Sequence, residues 1–421
     1  GIWDIYFSRK AFLDFVDKNH RSKNIVSSVS ILESKGNYIG SLQPLTAEEV
    51  ARKNNSFEVY GLWKWLYPDN IPYKEEMDFL YLNSFFPKLT DDNVLYKHWW
   101  TGTTYGAVDR IYPAIKLEDM KKYNAMVFMG FHRMDSVRKD FLNDLMKYVK
   151  DGGIIVLAAD QMKNSNEEFI PSELKSFMGV SIAPGTKLKI KDYVKVVETT
   201  PFNIKEGKYP IASEVKFKGE KEPWVYKAVP EGANVVAVDS EDTPVLLLNK
   251  YGNGYIFLFT SPTLSMIPPV GKSPFVSDII DKVCKYKPLP VILSPDNEDV
   301  EFLIAKTEDK EATVFIMNHG ERAWEGDIII DLARSGLSPE VGEKVSAKVC
   351  QGYKVKEINP EVVKEGDKLI IRGIRVEGDT SEPADYNYLP WWSPYEEQLQ
   401  LKTFCSYRQA SFALVRLEKE K

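Results

Sequence analysis

The hydrophobic and polar positions change rhythm along this chain. In the opening IWDIYFSRKAFLDFVDKNHR, Ile5, Phe12, Phe15 and Val16 recur at helical spacing and predict an amphipathic helix over residues 1–24. Lys23-Asn24 breaks it, and IVSSVSIL (25–32) reads as a buried strand. Residues 33–76 are polar and punctuated by Gly, Pro and Asn, with the aromatic run GLWKWLYPDNIPY in their second half; MDFLYLN (77–83) reads as a further strand. From Leu117 the pattern sharpens. LEDMKKY predicts a short helix, NAMVFMGF a buried strand, and SVRKDFLNDLMKYVKDGG a long amphipathic helix with Phe141, Leu142, Leu145, Tyr148 and Val149 on one face and Gly152-Gly153 as its stop. IIVLAAD (154–160) is the next apolar run, so strand, helix and strand make a βαβ unit, which implies a parallel sheet with a right-handed crossover.

ELKSFMGV predicts another short helix, and residues 181–243 are β-rich. PVLLLNKYGNGYIFLFTS is a hairpin turned at Tyr251-Gly252-Asn253-Gly254, and SPFVSDIIDKVCKY is the last helix. After Pro288-Leu289-Pro290 short strands follow one another almost without helix: VEFLIAKTED, EATVFIMNHG, GDIIIDL, EKVSAKVC, KLIIRGIRV and SFALVRLEK. That is the pattern of an antiparallel β-sandwich. The organisation expected is a linker helix at 1–24, an α/β domain at 25–286 and a β-sandwich at 287–421.

Composition narrows the classes of function. The 43% apolar and 28% charged content is that of a packed globular protein, and a net charge of −6 argues against a general polyanion-binding surface, so nucleic acid is not an expected partner. No apolar run approaches the ~18–20 residues of a membrane span, and no signal peptide opens the chain. The start at Gly1 rather than Met suggests that something has been removed: a tag, a signal or a larger N-terminal portion. Cys284, Cys350 and Cys405 fit neither a zinc knuckle nor a redox motif and read as small buried residues, which leaves the compartment open. Asn54-Asn55-Ser56 is a glycosylation sequon that matters only in a secreted protein, and the abundant Lys/Glu pairs hint at a warm-growing source.

Catalytic chemistry leaves little trace. There is no HExxH, no Walker A loop and no GxGxxG after a strand, and His20, His98, His132 and His319 are scattered; no metal or nucleotide cofactor is expected. Gly102-Thr103-Thr104-Tyr105-Gly106 has a GxTxG shape, but aromatic loop precedes it and no helical pattern follows, as a nucleophile elbow requires. The absence of Cys from residues 1–283 removes any Cys–His–Glu machinery from the α/β domain. The acidic pairs Glu48-Glu49, Asp91-Asp92 and Glu396-Glu397 read as solvated surface, and Asp109, His132 and Asp160 fall near predicted strand ends, where open α/β sheets place ligands.

The positive signal is aromatic. Trp63 and Trp65, then His98, Trp99, Trp100 and Tyr105, and finally Tyr386, Tyr388, Trp391, Trp392 and Tyr395 sit among Pro, Gly, Asn and Asp. Exposed rings stack on the C–H faces of sugars, and the same rings make protein–protein hot spots or tuck against their own domain.

The segment LEDMKKYNAMVFMGFHRMDSVRKDFLNDLMKYVKDGGIIVLAAD resembles the glutamine-amidotransferase-like, or trimerisation, domain of glycoside hydrolases of the family-42 β-galactosidase type. The family pattern matches at Tyr123, residues 127–129, Tyr148-Val149, Gly152-Gly153 and residues 154–157. KYGNGYIFLFTSPT is similar to the closing hairpin of that domain, TGTTYGAVDRIYP to the segment before its middle strands, and the tail from about 290 to the small C-terminal β-sandwich. The resemblance implies a flavodoxin-like, class I glutamine-amidotransferase-like parallel sheet with a β-rich insertion, followed by an antiparallel β-sandwich. It also implies that the catalytic glutamates lie in a (β/α)8 barrel upstream, so no catalytic residue is carried over.

The leading reading is then a non-catalytic part of a glycoside hydrolase that assembles a homo-oligomer and shapes a carbohydrate cleft. Trp63, Trp65, His98, Trp99, Trp100, Tyr105, Trp391, Trp392 and Tyr395 would be its sugar or interface contacts. A free-standing carbohydrate-binding or cell-surface protein is the second reading, which favours an extracellular setting over a cytoplasmic one. A glycosidase in its own right, using carboxylates gathered from loops, is the third.

Overall fold

The computed structural model describes residues 24–32, 103–111, 115–128, 139–162, 172–190, 192–198, 200–210, 224–260, 274–297, 299–318, 320, 322–351, 354–378 and 411–419. They divide into two units: an α/β unit from the described residues within 29–87 and 109–286, and a β unit from those within 1–28, 88–108 and 287–421. The helix expected at 1–24 and the strand expected at 77–83 lie outside the described residues, apart from Asn24.

The α/β unit begins with the second half of β1 (Asn24–Leu32), with which β2 (Ala107–Ile111) pairs. A short helix α1 (Leu117–Met120) leads into β3 (Ala125–Phe128), then α2 (Lys139–Lys150) and β4 (Ile154–Ala158). Strands β3 and β4 are buried at every residue, as expected of strands covered on both faces. β1 pairs in parallel with β3 through Val29–Ala125 to Ile31–Val127, and β3 pairs in parallel with β4. Helix α2 buries Phe141, Leu145, Tyr148 and Val149 in the same core as Met126, Phe128, Ile155 and Leu157. Each such aliphatic side chain contributes about 1.5–3 kcal/mol when taken out of water.

After β4 the backbone tightens into a 3-10 turn, Ala159–Met162, so the strand expected through Asp160 stops at Ala158. Helix α3 (Ser172–Met178) precedes β5 (Val180–Lys189), β6 (Tyr193–Val196), β7 (Gly207–Pro210), β8 (Trp224–Pro230), β9 (Asn234–Asp239), β10 (Pro244–Tyr251) and β11 (Gly254–Phe259); α4 (Pro274–Lys285) closes the unit. β11 lies parallel to β4, and β10, β9, β6 and β7 continue the sheet antiparallel from it. The β-rich stretch therefore enlarges the central sheet, while β5 and β8 form a separate antiparallel pair. The result is a mixed sheet with a short parallel core.

The two sequence motifs of this unit meet in one place. Helix α2 ends where the Gly152 and Gly153 amides donate to the Val149 and Tyr148 carbonyls at 2.9 and 2.8 Å. Against that end sits the β10–β11 turn: Asn253 N–H donates to Lys150 O at 3.0 Å and Tyr255 N–H to Gly153 O at 3.2 Å. Gly252 takes φ +61°, a left-handed conformation that a two-residue hairpin turn demands, and a Cβ there would lie 2.6 Å from Lys150 O. A Cβ on Gly254 would collide with the carbonyl oxygens of Val149 and Gly153, and one on Gly153 with the Tyr148 ring.

The β unit holds the first half of β1, where Asn24, Ile25 and Val26 pair antiparallel with Lys306, Ala305 and Ile304. Ile25 is 43% exposed, so the strand expected to be buried throughout is half surface. The unit continues with β12 (Val291–Ser294), β13 (Val300–Thr307), β14 (Glu311–Asn318), β15 (Trp324–Asp331), helix α5 (Leu332–Ser335), β16 (Lys344–Gln351), β17 (Lys354–Ile358), β18 (Glu361–Glu365), β19 (Lys368–Val376) and β20 (Ser411–Glu418). One sheet runs β17-β16-β20-β14-β13 and the other β12-β15-β19-β18, antiparallel throughout. Alternate residues of both sheets form a common core. Phe302, Ile304, Val314, Ile316, Val415 and Leu417 come from the first sheet, and Val291, Ile328, Ile330, Leu369 and Ile371 from the second. This is a β-sandwich.

Small devices fix its edges. Asp331 caps α5 by accepting from the Arg334 amide at 2.9 Å, and Gly336 ends the helix at φ +61°. The Trp324 indole donates to Pro295 O at 2.9 Å. Asn318, fully buried at the end of β14, donates from Nδ2 to the carbonyls of Arg322, Val376 and Glu377 at 2.9, 3.1 and 3.2 Å and accepts from Gly320 N–H at 2.9 Å.

Two substitutions test these constraints by urea denaturation. Gly254→Ala is expected to cost upwards of about 3 kcal/mol, because backbone rather than a flexible side chain blocks the new methyl. Gly207→Ala, where a Cβ meets nothing within 4 Å, is the control and should stay within about 0.5 kcal/mol of the parent. Asn318→Ala orphans several buried carbonyls and should cost about 2–3 kcal/mol.

Candidate functional site

A parallel sheet has an entry end, where its strands begin, and an exit end, where open α/β sheets usually bind ligands. The entry end here is closed by hydrogen bonds. The Tyr148 hydroxyl, buried beneath α2, donates to Tyr123 O at 3.1 Å and more weakly to Ile154 O at 3.5 Å. Tyr123, which leads into β3, donates its own hydroxyl to Asp109 Oδ2 at 2.9 Å. Burial pushes both phenols well above their ordinary range, and the Asp109 charge adds to the rise at Tyr123. At neutral pH both phenols are protonated, and their hydroxyls donate to these acceptors and so position the backbone at this end.

At the exit end the described framework consists of the ends of β1, β3, β4 and β11. Asp160 stands in the 3-10 turn just past β4, with Ala159 and Met162 buried beside it. Thr260, fully buried just past β11, donates its hydroxyl to Pro244 O at 2.9 Å and its amide to Val245 O at 3.0 Å. Asp109 is bound to the residue that enters β3, whereas Asp160 follows the end of β4. His132, which follows β3, lies outside the described residues.

The GxTxG segment is a turn of the β unit. Thr103 and Gly106 exchange backbone hydrogen bonds at 2.9 and 3.1 Å. The Thr103 hydroxyl donates to Gly106 O at 2.7 Å and accepts from Tyr105 N–H at 3.1 Å, and the residue is 2% exposed. Gly106 adopts φ +96°, and a Cβ there would lie 3.2 Å from the Phe302 ring. The Thr103 hydroxyl holds the turn, and Thr104, the central residue of the GxTxG pattern, lies half-buried at its tip. Tyr105 is buried as well, at 3% exposure, so its ring does not offer the open face expected of a sugar platform. The other aromatic candidates, Trp63, Trp65, His98, Trp99, Trp100, Trp391, Trp392 and Tyr395, lie outside the described residues.

The described aromatics that do cluster belong to the α/β unit. Phe202 packs on Tyr255, Phe257 and Tyr286 with ring centroids 5.1, 4.7 and 4.0 Å away, and Phe275 of α4 meets Tyr209 and Phe259. These contacts seat α4 on the sheet. Tyr209 donates to Asp278 Oδ2 at 3.2 Å; burial first and the carboxylate second push its phenol up to about 12. Among the described residues no group of three or more His, Cys, Asp and Glu could hold a metal, and no helix is long and apolar enough to cross a membrane.

No protein-family model matches the chain, and no curated protein does. Solved structures do resemble it. A β-galactosidase from Bacillus circulans sp. alkalophilus aligns with a TM-score of 0.47 at 15% identity, covering 86% of this chain and 43% of that one. A GH42 β-galactosidase from G. stearothermophilus aligns with a TM-score of 0.44 at 14% identity, covering 84% and 41%. A putative ThuA-like protein from Bacteroides uniformis aligns with a TM-score of 0.34 at 11% identity, covering 61% and 90%. The chain spans less than half the length of the β-galactosidases it resembles.

The tyrosine network sets an alkaline limit. A phenol whose folded pKa is raised contributes stability that is whole below the unfolded value, near 10, and is lost as pH climbs above it. The urea midpoint should therefore fall between pH 9 and about 11.5. Tyr148→Phe should lower the midpoint at pH 8 and flatten that fall; an equal slope in parent and variant would refute the assignment.

Proposed function

We propose that this chain is the non-catalytic, C-terminal part of a glycoside hydrolase of the β-galactosidase kind, which assembles subunits and contributes aromatic loops to the rim of a carbohydrate cleft. The observation that carries this reading is the junction at the entry end of the sheet. The two stretches on which the family resemblance rests, Tyr148-Val149 with Gly152-Gly153 and Tyr251-Gly252 with Gly254, are far apart in sequence and interlock through backbone hydrogen bonds. Motifs that meet to build a framework support an architectural role.

On this reading the α/β unit is a rigid platform and the sugar chemistry resides in rings mounted on loops. Trp63, Trp65, Trp99, Trp100, Trp391 and Trp392, with His98 and Tyr395, are the candidates, because flat apolar faces pack on pyranose C–H groups while neighbouring Asn and Asp take hydroxyls. Apolar rings of the same kind bury area between subunits.

Sedimentation velocity and titration calorimetry against galacto-oligosaccharides test it on the full chain. The expected result is a concentration-dependent oligomer that binds galactosides and loses affinity at least about tenfold in Trp99→Ala/Trp100→Ala. A monomer that gives no heat with any galactoside would overturn the proposal. A monomer with strong glycan binding would replace it with a free-standing binding module. Hydrolysis of aryl-galactosides by the chain alone would replace it with an enzyme.

A further inference from the structure

The sequence contains one Asn-Gly pair, Asn253-Gly254, and it stands at the junction between the β10–β11 turn and the end of helix α2. Asn253 is exposed, whereas Gly254, which opens β11 opposite Tyr251, is buried. Asparagine followed by glycine is the pairing most prone to lose its side-chain amide, because no side chain on the second residue keeps its backbone nitrogen from the asparagine Cγ. Packing ties this lability to the fold. A Cβ at position 254 would collide with the carbonyl oxygens of Val149 and Gly153, so glycine is required there. The residue that lets β11 reach the end of α2 is also the one that leaves Asn253 open to attack by its own backbone.

The closed junction holds that attack off. Cyclisation has to bring Asn253 Cγ onto the Gly254 nitrogen and turn the backbone between them into a flat five-membered ring. On either side of that bond the chain is fastened. Asn253 N–H donates to Lys150 O at 3.0 Å and Tyr255 N–H to Gly153 O at 3.2 Å, while the Gly254 backbone lies against the carbonyls of Val149 and Gly153. The ring forms only once the turn has left the helix end.

We propose that Asn253 is a spontaneous modification site, shielded while the junction is closed, whose conversion to isoaspartate stops the junction from closing again. In the opened turn the Gly254 nitrogen, its proton passed to hydroxide, attacks Cγ of Asn253. The N–Cγ bond forms and the Cγ–Nδ2 bond breaks, with ammonia leaving. Water then opens the succinimide at either carbonyl, giving aspartate or isoaspartate. Isoaspartate routes the main chain through the former side chain, so the loop gains a methylene where its neighbours are backbone and leave no room. Both products also place a carboxylate beside the last carbonyls of α2, where negative charge is unfavourable. This goes beyond the carbohydrate reading and does not depend on it.

The test incubates the full chain at pH 8, folded in buffer and unfolded in guanidinium chloride. After digestion at acid pH, mass spectrometry quantifies the peptide carrying position 253, and an isoaspartate-specific methyltransferase reports the rearranged product. Deamidation at 253 should be at least about tenfold slower in the folded chain, and should quicken below the unfolding midpoint in step with hydrogen exchange of the Tyr255 amide. Equal rates in the folded and unfolded chain, or no isoaspartate from the unfolded one, would overturn the proposal. Two variants test the second half of it. Parent chain aged at a sub-denaturing guanidinium concentration and returned to buffer should unfold at lower denaturant than Asn253→Gln aged in the same way, since glutamine cyclises far more slowly. It should also unfold at lower denaturant than fresh Asn253→Asp, which adds the charge without lengthening the chain. A midpoint no lower than that of either variant would overturn the idea that the modified turn fails to close.

Discussion

The close approach of the β10–β11 turn to the end of helix α2 is the constraint on which the α/β unit depends. Backbone meets backbone there without intervening side chains: Asn253 and Tyr255 amides take the carbonyls of Lys150 and Gly153, and Gly153, Gly252 and Gly254 leave the room for it. A helix end leaves several carbonyls without intrahelical partners, and a turn that supplies amides to them both caps the helix and fixes the height of the neighbouring strand. From that anchor β11 takes its parallel register on β4, with Tyr255 opposite Ile154, and β10 and β9 follow antiparallel. One contact sets the pairing of the central strands.

It also makes the two ends of the sheet unlike. The entry end is a closed lattice of backbone and tyrosine hydrogen bonds, with Tyr148 tied to Tyr123 and Tyr123 to Asp109. The exit end carries the starts of the connections after β1, β3, β4 and β11. A rigid base with long connections mounted on the opposite edge is how α/β scaffolds separate stability from recognition. At the exit end Thr260 likewise bonds back to Pro244 and Val245.

The sequence was legible where a single element carries its own periodicity. The βαβ unit, the Tyr251–Gly254 hairpin and the alternating strands after Pro290 all read directly, because each buries one face or two and says so in its residues. Strands β17 and β18 did not, since KVKEI and EVVKE lie at sheet edges and alternate Lys and Glu with few apolar residues. β2 was hidden for a similar reason, with Asp109 and Arg110 in the middle of AVDRI. Pairings between distant residues left no local trace at all: nothing near Asn318 in sequence announces Val376, and nothing near Asp109 announces Tyr123. Tyr105 misled because Gly and Thr neighbours look like a surface loop, whereas the tight Thr103–Gly106 turn sends the ring inward.

The insertion between β4 and β11 has a kinetic meaning. These strands are neighbours in space, yet helix α3 and strands β5 to β10 are synthesised between them. The β3–α2–β4 segment can form early from local contacts, and the β10–β11 hairpin can form on its own. Their union must await closure of a long loop, and long-range parallel pairing is the slow step in folds of this kind. Until it happens, one edge of β4 stands open with Ile154 to Ala158 available to any passing strand. A chain built this way is most vulnerable to aggregation after its secondary structure is complete, in the interval before the glycines find the end of the helix.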